Sequence, residues 1–271
     1  MKSTVSTLAL RLAAFPFLSL ALSLAAPIAH AAPAADNSAA SSFTDHVTAN
    51  VALTSQYVSR GFRQTWGDPA LQGGVDYVNP NGFFAGTWLS SVSHRYIENG
   101  KLEWDLYGGY AGTLGPVGYS GTVLYYKYPD AVIQADGTKY DYGELALGLT
   151  YKFVYAKYSR TYTSDYFGIT NARGTGYLDL GSNIDLGSGY GLHFHYGIGR
   201  VASTGAADNG VWNWKDVKVG TSKTFQGGWT LSGAYTKAFG ATDIYDRFTL
   251  DGSHVSDPAA GTFALSLAKT F

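Results

Sequence analysis

Apolar and polar residues alternate one for one along most of this chain. Val47, Ala49, Val51, Leu53 and Tyr57 alternate with Thr48, Asn50, Ala52, Thr54 and Gln56; Leu71, Val75 and Tyr77 alternate with Gln72, Gly74 and Asp76. Leu102, Trp104, Leu106 and Tyr110 stand against Glu103, Asp105, Tyr107 and Gly109, and Leu145, Leu147, Leu149 and Tyr151 against Glu144, Ala146, Gly148 and Thr150. Leu178, Leu180, Ile184 and Leu186 interleave with Asp179, Gly181, Asn183 and Asp185, as Leu192, Phe194, Tyr196 and Ile198 do with His193, His195, Gly197 and Gly199. A helix would place apolar residues at i, i+3, i+4 and i+7, and none of these runs does. They read as strands with one greasy face.

Fainter runs near 83–91, 119–127, 154–162, 212–224, 229–237 and 261–271 bring the expected total to about twelve strands. Tight turns are expected at 79–82, 115–118, 187–189 and 226–228, where Gly, Asn and Pro tolerate the required dihedrals. Longer polar segments near 60–69, 92–100, 129–141, 163–175, 201–211 and 239–260 alternate with them. The pattern predicts an all-β, transmembrane, antiparallel up-and-down barrel, with short periplasmic turns, long extracellular loops and both termini in the periplasm. A soluble β-sandwich also alternates, but it would carry more Lys and Glu on its outward face.

Composition sharpens this. Charged residues are 14% of the chain, against the roughly 25% of an ordinary soluble domain, while Gly 34, Tyr 21 and Phe 14 point to turns and aromatic strands. Residues 1–31 read as a cleaved signal peptide: Lys2 and Arg11, an apolar stretch from Leu12 to Ala26, then Ala29-His30-Ala31. Residues 32–42 read as a disordered tether, and 43–271 as the barrel in the outer membrane of a Gram-negative bacterium. No Cys is present to carry a lipid anchor. Without the leader the chain holds 17 basic residues (19 less Lys2 and Arg11) against 20 acidic ones, too weak a balance for nucleic acid.

The stretch Thr54-Ser55-Gln56-Tyr57-Val58-Ser59-Arg60-Gly61-Phe62-Arg63-Gln64-Thr65, then Pro69 to Tyr77 and Gly82 to Trp88, resembles the opening of the Gcw_chp (TorF) family. Trp214 to Gly220 and the terminal Phe271 fit as well. The resemblance implies a proteobacterial outer-membrane protein and supplies no activity.

Candidate chemistry is sparse. Asp76, Glu103, Asp105, Glu144, Asp179, Asp185, His193 and His195 fall on the expected lumenal face and are the pore-lining candidates. Such a wall would favour cations, or its acids would pair with Arg60, Arg63 or Lys218 and stiffen it. Arg60 and Arg63, flanking Gly61 at the first outer loop, are candidates for a constriction or for lipopolysaccharide phosphates. His193 and His195, two apart on a strand, raise a metal or proton site; wetted wall residues are the plainer account. Asp243, Asp246, Asp251 and Asp257 lack the spacing of a calcium loop. No Gly-x-Ser-x-Gly or His-Glu-x-x-His motif occurs, so no enzyme, cofactor or metal is expected. Phe263, Leu265 and Leu267 alternate down to Phe271, which reads as a signal for the barrel-assembly machinery, with Lys269 where another apolar residue is usual. The expected function is a monomeric, narrow passive channel for a small hydrophilic solute. The alternative is a non-conducting structural or assembly protein, and an envelope enzyme ranks third.

Overall fold

The computed structural model describes residues 46–241, 243–245, 247–248 and 255–271; the expected leader and tether, and Asp246 and Asp251 of the acidic set, lie outside them. Twelve long strands close one antiparallel barrel: β1 Val47–Thr54, β2 Ala70–Val78, β3 Phe83–Ser91, β4 Leu102–Leu114, β5 Val117–Lys127, β6 Tyr142–Tyr151, β7 Val154–Thr161, β8 Gly176–Gly187, β9 Tyr190–Arg200, β10 Trp214–Thr224, β11 Trp229–Phe239 and β12 Thr262–Thr270. Each strand pairs with its neighbours in sequence, and β12 returns to β1 with Asn50 opposite Thr270 and Thr54 opposite Ser266. Short turns and long loops alternate strictly at the two rims. A fifth turn, Lys152-Phe153, carries no turn-forming residue, and Lys152 adopts a φ of 55° to make it.

The pleat decides which face is greasy. Leu147 is 70% exposed and Leu265 62%, both on the outside, while their strand neighbours Ala146, Ala264 and Ser266 are buried inside. Phe83, Tyr110, Tyr151 and Trp229 stand outward near the short-turn rim, as an aromatic belt does where hydrocarbon meets headgroups. Lys269 belongs to that rim: its Nζ lies over the rings of Trp229 (5.8 Å) and Phe271 (5.2 Å) and donates to the carbonyl of Gly227. Its aliphatic stem covers apolar surface while its charge reaches the polar edge, which accounts for a lysine in an apolar series.

Inside, one arc is lined by small residues and the other by large ones. Thr230, Ser232, Ala234, Thr236 and Ala238 of β11, and Ala264, Ser266 and Ala268 of β12, are all buried and face Tyr, Glu, Asp and Trp side chains from β3 to β10. The room left by the small arc is taken by the first loop, residues 55–69. Tyr57 shows where the simple alternation fails. Expected on the outer face, it is 1% exposed inside, because β1 ends at Thr54 and the Thr54 hydroxyl donates to the Gln56 carbonyl (2.9 Å), turning the chain inward.

Replacing Leu147 with Arg places a charge at mid-belt and should destabilise the inserted barrel by about 2–4 kcal/mol. Urea unfolding in lipid vesicles checks this; an unchanged midpoint would place β6 outside the hydrocarbon.

Candidate functional site

The first loop enters the barrel as a small hairpin. Val58 pairs with Arg63 and Ser59 with Phe62, so Arg60-Gly61 forms a two-residue tip. Both tip residues have positive φ, 48° and 85°, as the tightest hairpin turn demands. Glycine adopts this freely; arginine pays for it, and a strained arginine persists only where its surroundings hold it. Here they do. Nη1 and Nη2 of Arg60 donate to the two carboxylate oxygens of Glu144 at 2.8 and 2.7 Å, and Nη1 also reaches the Tyr166 hydroxyl at 3.3 Å. The guanidinium lies 4.3 Å from the centre of the Tyr177 ring. Burial opposes the charge on Arg60, but Glu144, together with Tyr166 and Tyr126, more than offsets it and raises its pKa well above the ordinary range. On the other side the Arg60 carbonyl accepts from Trp214 Nε1 at 3.0 Å. A Cβ on Gly61 would lie 2.6 Å from that of Asp216 and 2.9 Å from that of Ala238, so the tip is wedged against β10 and β11. The hairpin therefore spans the lumen, from its root between β1 and β2 to β6, β10 and β11.

Two polar clusters flank this tip. On one side Glu103 and Asp105 of β4 and Glu144 of β6 are each 1% exposed or less. Tyr126 donates to Glu144 (3.1 Å) and Tyr57 to Glu103 (3.2 Å). Among the described residues neither oxygen of Asp105 has a hydrogen-bond partner. On the other side His195 sits between two carboxylates, Nδ1 2.7 Å from Asp179 Oδ1 and Nε2 2.6 Å from Asp216 Oδ2. A carboxylate only accepts, so both ring nitrogens are placed to donate. Tyr177 also donates to Asp216 (2.9 Å), and Lys157 Nζ lies 3.9 Å from Asp179. Asp179, Gly197 and Asp216 stand abreast on β8, β9 and β10. A Cβ at Gly197 would fall 2.2 Å from the Tyr177 hydroxyl and 2.3 Å from Asp216 Oδ1, so glycine is what lets these groups meet.

The remaining expected residues lie apart from the tip. Asp76 accepts from the Tyr107 hydroxyl at 2.5 Å. Asp185 is exposed at the short-turn rim, where it caps the turn by accepting from the Gly187 N–H. Arg63 folds back to donate to the Trp66 carbonyl (3.1 Å). Asp257 is exposed and accepts from the Ala259 N–H, and Phe271 stands outward at the short-turn rim. His193 has Nδ1 2.9 Å from Asn183 Oδ1 and Nε2 2.9 Å from Ser222 Oγ. That is the order orienter, base, hydroxyl, but the neighbouring backbone N–H groups belong to β8, β9 and β10 and are engaged in the ladder. Among the described residues those backbone groups are therefore not free to hold an oxyanion, the element acyl transfer leans on most. Sequence reasoning missed Asp216 and Lys157. Asp216 is in phase with Trp214 and Lys218, all on the inward face of β10, and that phase was the available signal.

A closed twelve-stranded barrel, greasy outside and polar within, with a loop folded into its lumen, defines a membrane-spanning barrel of the porin type. The sequence model of one family matches residues 36–271, and the chain belongs to that family: Gcw_chp, a bacterial protein of unknown function. Among solved structures it is similar to KdgM porin, at 6% identity over 83% of this chain and 99% of that one, with a TM-score of 0.52. It is also similar to the Acinetobacter baumannii outer membrane protein Omp33, at 7% identity over 83% and 97%, with a TM-score of 0.46. At such identities the likeness concerns the fold alone. No curated protein sequence matches the chain.

A Gly61→Val variant cannot keep the hairpin tip in place, since its side chain would overlap Asp216 and Ala238. With overpacking costing about 1–3 kcal/mol, limited trypsin digestion of the folded barrel should cut after Arg60 or Arg63 in the variant and spare the wild type. Equal resistance would mean that the hairpin tolerates the added side chain.

Proposed function

We propose that this protein is a narrow passive channel of the outer membrane for a small hydrophilic solute, shut at rest by its own first loop. The observation that carries the reading is the hairpin across a polar lumen, held by Arg60 between Glu144 and the Tyr177 ring. A barrel built only to be rigid has no need of a charged, strained tip in its bore. The carboxylates of Glu103, Asp105, Glu144, Asp179 and Asp216 around it are 0–4% exposed, so a solute passes only once the hairpin shifts. Short turns then face the periplasm and long loops the outside, with Phe271 offered to the assembly machinery. The wall carries Asp76, Glu103, Asp105, Glu144, Asp179 and Asp216 against Arg60, Lys157 and Lys218, which favours cations once water enters. Nothing in this reading requires a catalytic group or a protein partner.

Removing Arg60 leaves Glu144 buried without its partner, at a cost of about 3–5 kcal/mol, which the hairpin relieves by leaving. In planar bilayers Arg60→Ala should therefore give larger and longer openings than the wild type, with reversal potentials under a salt gradient on the cation side. Silence from both proteins, each folded by heat-modifiability, would instead support a non-conducting structural role. An anion-side reversal would mean that the acids stay neutral or paired.

A further inference from the structure

The lipid-facing side of the barrel carries its charge unevenly. On the outward faces of β7 to β11 stand Arg160, Arg200, Lys215, Lys223 and Lys237, and no Asp or Glu. All but Lys223 lie within two residues of the long-loop end of their strands. At that rim the outward residues of β12 and of β1 to β4 are Phe263, Leu53, Leu71, Ser91 and Leu102, none of them charged. Lys127 of β5 also faces outward there, and Asp141 takes it up at 3.5 Å. Long cationic side chains that only reach for water at a membrane edge need no grouping. A row confined to one arc needs another cause.

The pairing register makes the four a row. Arg160 and Arg200 are both opposite Gly176, so they stand about 10 Å apart, two strand spacings. Ile198 is opposite Lys215 and Lys215 is opposite Phe239, which makes Arg200–Lys215 and Lys215–Lys237 diagonal neighbours about 7–8 Å apart. From β7 to β11 the row crosses four strand spacings, about 19 Å. The Arg160 guanidinium is turned toward the rim, since a Cβ at Gly174, before β8, would meet its Nη2 at 3.4 Å. Gly176 leaves room for the ring of Tyr158, whose hydroxyl stands between the two arginines. Among the described residues none of the four cations has a carboxylate within ion-pair distance.

What lies below the row and what the row presents together select the occupant. The next outward residues toward mid-belt are Leu178, Ile198, Val217 and Tyr235, so a molecule held here has its apolar part in hydrocarbon and is a lipid. Its headgroup is anionic, and the planar fork of each guanidinium matches a phosphate. A phospholipid with one phosphate would engage one end of the row and leave the rest to water. A lipid with several phosphates spread over a sugar headgroup meets the whole of it. With the long loops outside, the leaflet concerned is the outer one, which in a Gram-negative outer membrane is made of such a lipid.

We infer that the outward row of Arg160, Arg200, Lys215 and Lys237 binds the phosphates of outer-leaflet lipopolysaccharide. The inference rests on the outward placement of the long loops proposed above, and not on conduction. The full-length protein, folded in a non-ionic detergent, would be titrated with bisphosphoryl lipid A, monophosphoryl lipid A and phosphatidylglycerol, with bound lipid read by native mass spectrometry. Bisphosphoryl lipid A should bind saturably and more tightly than either of the others. Arg200→Gln combined with Lys215→Gln should weaken it by about fivefold for each cation removed. Lys223→Gln combined with Lys269→Gln, at the short-turn rim, should leave it unchanged. The three-lipid comparison on the wild type decides the matter even where a variant fails to fold. Equal binding of the two lipid A forms, or of phosphatidylglycerol, would overturn the inference, as would an equal loss from the short-turn pair. Phosphate-dependent binding by a barrel that never conducts would keep the lipid site and remove the channel. Conduction by a barrel indifferent to phosphate would do the reverse.

Discussion

Backbone N–H and C=O groups have no water to turn to in hydrocarbon, so a sheet that enters a membrane must close on itself. In this chain closure falls to the pairing of Asn50–Thr54 with Ser266–Thr270, the contact most remote in sequence. Once it is made, the other features follow from the pleat. Every second side chain is delivered to lipid and every other one to the bore. Polar groups are then forced together in a space too small to hydrate them all, and they must satisfy one another. The carboxylate–imidazole–carboxylate row of Asp179, His195 and Asp216 and the bidentate Arg60–Glu144 pair are two solutions to that crowding.

The unequal distribution of side-chain size around the bore decides where the crowding is relieved. Small residues on β11 and β12 leave a trough opposite the large residues of β3 to β10, and the first loop fills it. The hairpin thus completes the wall of the bore: Trp214 holds its carbonyl, Glu144 holds its charge, and Gly61 permits the close approach to Asp216 and Ala238. None of these contacts is a strand-to-strand ladder bond, so the tip can be displaced without opening the barrel.

The barrel was legible in the sequence because its rule is local: a period of two, interrupted by turn-forming residues, needs only neighbours to be seen. Strand number, the strict alternation of short turns and long loops, and the outward placement of Leu147 and Leu265 all follow from it. Lys152-Phe153 escaped because the turn there is imposed by pairing of β6 with β7 rather than by residue type. Tyr57 escaped because the alternation continues in the sequence after the strand has ended. The site was less legible, since its geometry comes from strands far apart in sequence. The alternation put Glu144 and Asp179 on the inner face and offered Arg60 as a partner for the acids there, yet nothing local told which acid Arg60 would reach, or that Asp216 would complete the pair around His195.

The plug is encoded beside the seam, and that has a kinetic side. Residues 55–69 follow β1, so this segment exists before any of the strands it must touch has been made. Its far anchors, Trp214 and Asp216 on β10 and Ala238 on β11, come late in the chain, and β12 comes last. Before β12 zips to β1 the hairpin can enter through the open side of the sheet; afterwards only the open end admits it. Ladder and bore are thus separate achievements: a barrel that seals before its first loop has turned inward would hold every ladder bond of the native one while its bore still lacked the hairpin.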